Sequence, residues 1–226
     1  LLAIYLLFNE GYNSTQHEDL IRKDLMHEAM QLCELICRSR AVDHCKAHAL
    51  MALICFTASR NEARQDAAGN ILLLKEQDRK RWNKALIEKG IFHLEASSEA
   101  EQVNKYQLEA GIAYEHARAA SYASTNWRNI LKCYDLMCQF YPSPIIELNR
   151  AIVISEINGP AEGIKAIEAI TNLSALKKYY LLPATLGELN WQLQNNKLAN
   201  QYFAQAMELT KSAAERKLLQ QKMNQH

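Results

Sequence analysis

The sequence predicts an all-α protein, with a helical layer over residues 1–100 followed over 101–226 by degenerate helical hairpins in a right-handed stack. Three observations carry this. The chain of 226 residues has only four prolines, none before Pro142, and uninterrupted segments of that length favour helices over strands and turns. Apolar residues recur at helical steps along most of the chain. Breakers then cut the second half into short helical pairs. A hydrophobic content of 49% with 23% charged residues is that of a folded chain, not a disordered one.

Taken in order, residues 1–12 form an apolar helix ending at Asn9-Glu10-Gly11-Tyr12, with Gly11 as a stop and Asn13-Ser14-Thr15 as a turn. A helix from about Asp19 carries Leu25, Ala29, Leu32 and Ile36 as one inward stripe. Another runs from about Val42 to Arg60 with Ala47, Leu50 and Ile54 facing in. Asp66 to Asn70 is a turn, and Ile71-Leu72-Leu73-Leu74 reads as a short extended segment. A long helix is expected from Glu76 to about Glu95, with Glu76 and Asp78 complementing its dipole. Ala96 to Lys105 is polar and reads as a loop. Helices at about 106–120, 127–140, 144–157, 161–170, 175–193, 197–210 and 212–223 complete the chain.

Tyr141 to Ile164 organises the second half. Pro142 and Pro144 lack an N–H and clash with the preceding turn, so they separate two helices. Asn158-Gly159-Pro160 makes the next break, with a left-handed cap for one helix and a proline for the first turn of another. Ile130, Tyr134 and Met137 precede Pro142 at the inner-face spacing of a tetratricopeptide second helix. Downstream, Leu186-Gly187 and then Ala199, Phe203 and Ala206 occupy the corresponding slots of a further repeat. The implied period is about 34–35 residues, the length of that repeat.

With 26 basic against 25 acidic side chains, the chain lacks the basic excess of a domain that wraps a phosphate backbone, and direct nucleic-acid binding is not expected. Arg79-Lys80-Arg81, Lys211, Lys217 and Lys222 read as solvated helix faces. No apolar run reaches the length of a membrane span. The opening Leu-Leu-Ala-Ile-Tyr-Leu-Leu-Phe, without an initiator methionine, reads as the interior of a helix in a longer protein. The six cysteines form no Cys-x-x-Cys pair and sit among apolar residues, as in a reducing cytoplasm.

Candidate chemistry is sparse. Cys33, Cys37, His44, Cys45 and His48 cluster in sequence, and His44 and His48 share a helix face at a chelating spacing. The cysteines lie one turn apart in an apolar helix and no loop presents four ligands, so core cysteines and ordinary polar histidines are expected, with no metal and no cofactor. Asp78 and Arg79 border the stripe carrying Trp82 and Leu86. A charge held there needs a partner, since leaving it unpaired costs on the order of 3–5 kcal/mol. A structural ion-pair network with Arg60, Arg64 or Glu10 is the expectation. No Gly-rich phosphate loop, Gly-x-Ser-x-Gly elbow or His-Glu-x-x-His pair occurs, so no catalytic residues are expected and an enzyme is poorly supported.

Several stretches together resemble a known family: Tyr5 to Tyr12, Glu28-Ala29, the Ala63-Arg64 to Gly69 turn, Glu76-Gln77-Asp78-Arg79 with Trp82, Thr125-Asn126-Trp127, and Pro142 to Gly163. In this order they are similar to the large C-terminal extension of a class of extracytoplasmic-function RNA polymerase sigma factors, an extension that ends in tetratricopeptide-like repeats. Asn126 and Asn83 depart from the pattern, standing where Asp is common.

The resemblance implies a bacterial, cytoplasmic transcription initiation factor whose promoter-reading domains precede Leu1 and make any DNA contact. The extension would act as a regulatory and protein-interaction module toward its own sigma domains and the RNA polymerase core, with a small YCII-related (DGPF) protein as a further partner. Asn9, Glu10, Tyr12, Gln77, Asp78, Arg79 and Trp82 are the candidate docking or switch surface. The competing readings are a generic tetratricopeptide-type peptide-binding scaffold and a helical enzyme with a polar pocket beside Asp78 and Arg79.

Overall fold

A computed structural model describes residues 1–13, 22–39, 43–100 and 102–224. Among them the protein is all-helical, and the only sheet-like pairing is an isolated antiparallel bridge between Gln65 and Ile71. The chain divides into two compact units, Leu1–Asn126 and Trp127–His226.

The first unit holds α1 (Leu2–Tyr12), α2 (Lys23–Arg38), α3 (His44–Ala58), α4 (Lys84–Ser97) and α5 (Lys105–Arg118). Helix α3 is its axis. It is apolar on nearly every side, from Ala47 to Ala58, as a helix surrounded by others must be. Phe8, Met26, Ala29, Cys33, Leu50 and Ile54 make one core with α1 and α2. Phe56 and Leu53 make a second with Ala110, Tyr114 and Ala117 of α5. That second core draws α5 into the first unit, so the structural division falls at Asn126 and not at residue 100.

Helix α2 turns a different face inward than its leucines suggest. Met26, Ala29, Cys33 and Cys37 are buried, while Leu32 is 40% exposed and Leu25 and Ile36 are only half-buried. The small cysteines let the helix lie close to α3, where the Cys33 thiol approaches the Ala47 carbonyl at 3.7 Å. Gly11 is helical rather than a stop. An added Cβ there would stand 2.8 Å from the Met26 backbone nitrogen, so glycine permits the α1–α2 contact. The expected helix starts at Asp19 and Val42, and the turn at Ser14-Thr15, lie outside the described residues.

Between α3 and α4 the chain is irregular. The run Ile71 to Leu74 forms no strand beyond the Ile71 bridge. The long helix expected from Glu76 is instead a 3-10 turn (Arg79–Arg81) followed by α4. Two side-chain caps explain the break: Asp78 accepts from the Lys80 N–H at 2.9 Å, and Asn83 accepts from the Leu86 N–H at 3.1 Å. Each cap starts a new element, because its own backbone is extended.

The second unit is a series of short helices: α6 (Trp127–Phe140), α7 (Pro144–Asn158), α8 (Pro160–Glu168), α9 (Leu181–Gln192), α10 (Asn196–Leu209) and α11 (Ala213–Asn224). Gly159 at φ +94° joins α7 to α8, a conformation that favours glycine. Leu148, Ala151, Ile167 and Leu189 bury the α7–α8 pair against α9, and Ala199, Phe203, Ala206 and Leu219 bury α10 against α11. The stretch 175–193, expected as one helix, is a 3-10 turn (Leu173–Leu176) and then α9, with Pro183 in its first turn.

A cavity of about 480 Å³ within this unit is bordered by Asp135, Cys138, Glu147, Arg150 and Thr171. The Arg150 Nε donates to Asp135 at 2.6 Å across its wall.

Candidate functional site

The two motif stretches that are distant in sequence meet in the first unit. The Tyr12 hydroxyl accepts from Arg60 Nη2 at 2.8 Å, and the Tyr12 carbonyl accepts from Arg64. The Arg64 guanidinium lies 3.7 Å from the Tyr12 ring centroid. Arg60 lies 5.8 Å from the centroids of both Tyr12 and Trp82, and Arg79 lies 4.2 Å from that of Trp82. Arg79 also donates to the carbonyl of His116 on α5. The result is an alternating stack: Arg64, Tyr12, Arg60, Trp82, Arg79.

Cation and ring attract through the quadrupole of the ring, and the attraction grows as water is removed. Trp82 is 3% exposed and Arg64 9%, so water is largely excluded at both. Among the described residues no carboxylate pairs with Arg64 or Arg79. The ion-pair network expected around Asp78 and Arg79 is therefore corrected: ring faces and carbonyl oxygens hold these guanidiniums, and Asp78 is spent on capping. Burial, followed by the neighbouring charge of Arg60, lowers the pKa of Arg79. For Arg64, burial is again the largest lowering cause. His116 is pushed down to about 3 by burial, then by Arg60 and Arg79, and stands neutral beside the stack.

Of the expected surface residues, Tyr12, Arg79 and Trp82 are brought together. Gln77 supports them from the loop by donating to the Leu72 carbonyl at 3.1 Å. Asp78 is exposed. Asn9 is also exposed and hydrogen-bonds the Tyr5 side chain, whose hydroxyl burial pushes up to about 12. Glu10 acts electrostatically on Arg22 and is not part of the stack.

His116 was not legible as a member, because a histidine in an amphipathic helix carries no signal until α5 is known to cross the stack. Arg60 and Arg64 were legible as partners but not in their role.

Among the described residues the Trp82 indole N–H and the Arg79 Nε and Nη2 are buried without a hydrogen-bond partner. Donors left in that state cost about 1–3 kcal/mol each.

Comparison with known proteins gives one family match within the first unit and one relative along nearly the whole chain. Residues 1–98 match a family of unknown function, DUF6596. Over 212 residues the chain is 32% identical to an uncharacterized protein of Rhizobium meliloti (strain 1021), a match that covers 94% of this chain and 49% of the relative. The chain thus spans about half the length of the curated relative that it matches. No solved structure matches it, and among the described residues no helix is long and apolar enough to cross a membrane.

Proposed function

We propose that this chain is the regulatory and protein-interaction part of a bacterial sigma factor, acting in transcription initiation through contacts of its helical surface. The observation that carries the reading is the meeting of the Asn-Glu-Gly-Tyr and Gln-Asp-Arg-x-x-Trp stretches, which carry the sigma-factor resemblance, on one cation–aromatic stack with unsatisfied donors.

Three further facts support it. The chain has a net charge of +1, which leaves DNA contact to other domains. The relative is about twice as long, which leaves room for such domains. The helical pairs of the second unit are the kind of element that offers a protein-binding face. In this reading the helical surface that the stack braces docks the factor's own sigma domains, in the cytoplasm, and thereby sets their availability to the polymerase core. The small YCII-related partner would compete for or reinforce that contact.

The test is a calorimetric titration of the purified chain into its separately expressed sigma domains. Saturable binding that weakens about tenfold in Arg79→Ala, the loss of roughly one well-placed contact of about 1.4 kcal/mol, is expected. Absence of binding to the sigma domains and to the polymerase core contradicts the reading, and binding of unrelated extended peptides with equal affinity would favour a generic scaffold.

A further inference from the structure

Cys37, His48 and His93 come from α2, α3 and α4, and each offers one ligand atom within 4.8 Å of those of the other two. Cys37 and His93 are buried, and His48 is half-buried. The Nδ1 atoms of the two histidines stand 2.9 Å apart and share one hydrogen bond. Two imidazole nitrogens bound to one tetrahedral cation at about 2.0–2.1 Å stand roughly 3.3 Å apart. The two nitrogens need to part by only a few tenths of an ångström to share a metal in place of the hydrogen bond.

The other side of the site is built to match. His93 Nε2 faces Glu34 Oε2 at 4.0 Å, beyond hydrogen-bond length but close enough for a small shift to let the carboxylate orient a ligating imidazole. Glu34 is itself held by Lys89 at 2.7 Å and Arg38 at 3.3 Å. His44 stacks on His48 at 6.1 Å between centroids, and the exposed Phe92 meets both His48 and His93 edge to face. Three ligand-type side chains converge here from three helices.

We propose that Cys37, His48 and His93 form a binding site for a divalent transition-metal cation of the zinc type, with the fourth position open. One thiolate and two imidazoles are soft and intermediate donors, which suit zinc and not magnesium or calcium. The proton balance is simple. The Cys37 thiol releases its proton to solvent as sulfur binds the metal, and the proton shared between the Nδ1 atoms moves to Nε2 of its own ring. Both rings remain neutral, and one proton leaves per metal bound. The ion would clamp α2, α3 and α4 together. This site stands apart from the regulatory reading and survives its failure.

The test uses the full chain with Co²⁺ and Zn²⁺ alone. One equivalent of Co²⁺ is expected to give thiolate-to-cobalt charge-transfer absorption and the visible bands of a tetrahedral site, both abolished by Zn²⁺. Cys37→Ser is expected to remove the charge-transfer band, His93→Gln to weaken binding at least tenfold, and Glu34→Gln to weaken it on the order of 10- to 100-fold. Cys45→Ser leaves the spectrum unchanged.

A band that persists in Cys37→Ser, or no band in the wild-type chain, overturns the proposal. Should the variants fail to fold, alkylation of the wild-type chain decides. Zn²⁺ is expected to protect Cys37 selectively, and modification of Cys37 at the same rate with and without Zn²⁺ overturns the site.

Discussion

Arg64 grips Tyr12 twice, with its guanidinium 3.7 Å from the centre of the ring and a hydrogen bond to the carbonyl of the same residue. The pair ties the C-terminal end of α1 to the segment that follows α3, and so fixes one end of the cation–aromatic stack. The first unit should depend on it. Removing the guanidinium costs the ring contact, about 0.5–2 kcal/mol, and leaves a partly buried carbonyl unpaired, about 1–3 kcal/mol. Arg64→Met is expected to lower the unfolding free energy by about 2 kcal/mol in urea denaturation. Arg64→Lys should recover less than half, since an ammonium cannot both stack and donate in that plane. An unchanged midpoint in Arg64→Met would show that the pair is incidental.

His116 sets a pH dependence. Its folded pKa is depressed to about 3, against an unfolded value of about 6.5. The unfolded chain therefore binds the proton first as pH falls, and the fold loses stability from about pH 6.5 downward. Between pH 7 and pH 5 the loss from this group approaches about 2 kcal/mol. In His116→Gln the stability difference between those two pH values should shrink by that amount, as read from denaturant midpoints. Parallel pH profiles for the two proteins would mean that His116 is protonated in the fold.

Gly187 and Phe203 make a close contact in the second unit. A Cβ on Gly187 would lie 2.6 Å from the Phe203 ring, which is 1% exposed and cannot swing away. Alanine gains about 1 kcal/mol of helix propensity, while overpacking costs about 1–3 kcal/mol. The clash wins, and Gly187→Ala should destabilise by about 1 kcal/mol. Adding Phe203→Leu should make the alanine favourable in the double variant, a coupling that a mutant cycle measures. Additive effects would show that the ring adapts freely.

The second unit was the more legible part of the chain. Ala199, Phe203 and Ala206 are buried where their spacing placed them, and α6 to α8 follow the breaks at Pro142, Pro144 and Gly159 closely. Proline and glycine act locally, so their effect can be read without knowing the tertiary neighbours.

The first unit was less legible because its burial is decided by neighbours. The inward face of α2 depends on two cysteines being small enough to touch α3, which the larger Leu32 obscures. The break at Asn83 depends on which polar side chain folds back on its own backbone, and a propensity sum over Glu76 to Glu95 cannot show that. At the candidate site the motif residues Tyr12, Arg79 and Trp82 were legible and their ring-stacked arrangement was not, because paired charge was the expected answer to a buried guanidinium. His93 was missed for a related reason. It lies far from Cys37 and His48 in sequence, and only the packing of α4 on α3 brings it to them.

Run-off transcription by the full-length factor, with and without residues 1–226, tests the regulatory reading most directly. A severalfold change in transcript yield on removal, reproduced in part by Arg79→Ala and Trp82→Ala in the intact factor, is the expected result. Transcript yields identical for the intact and shortened factor at equal concentration would contradict it.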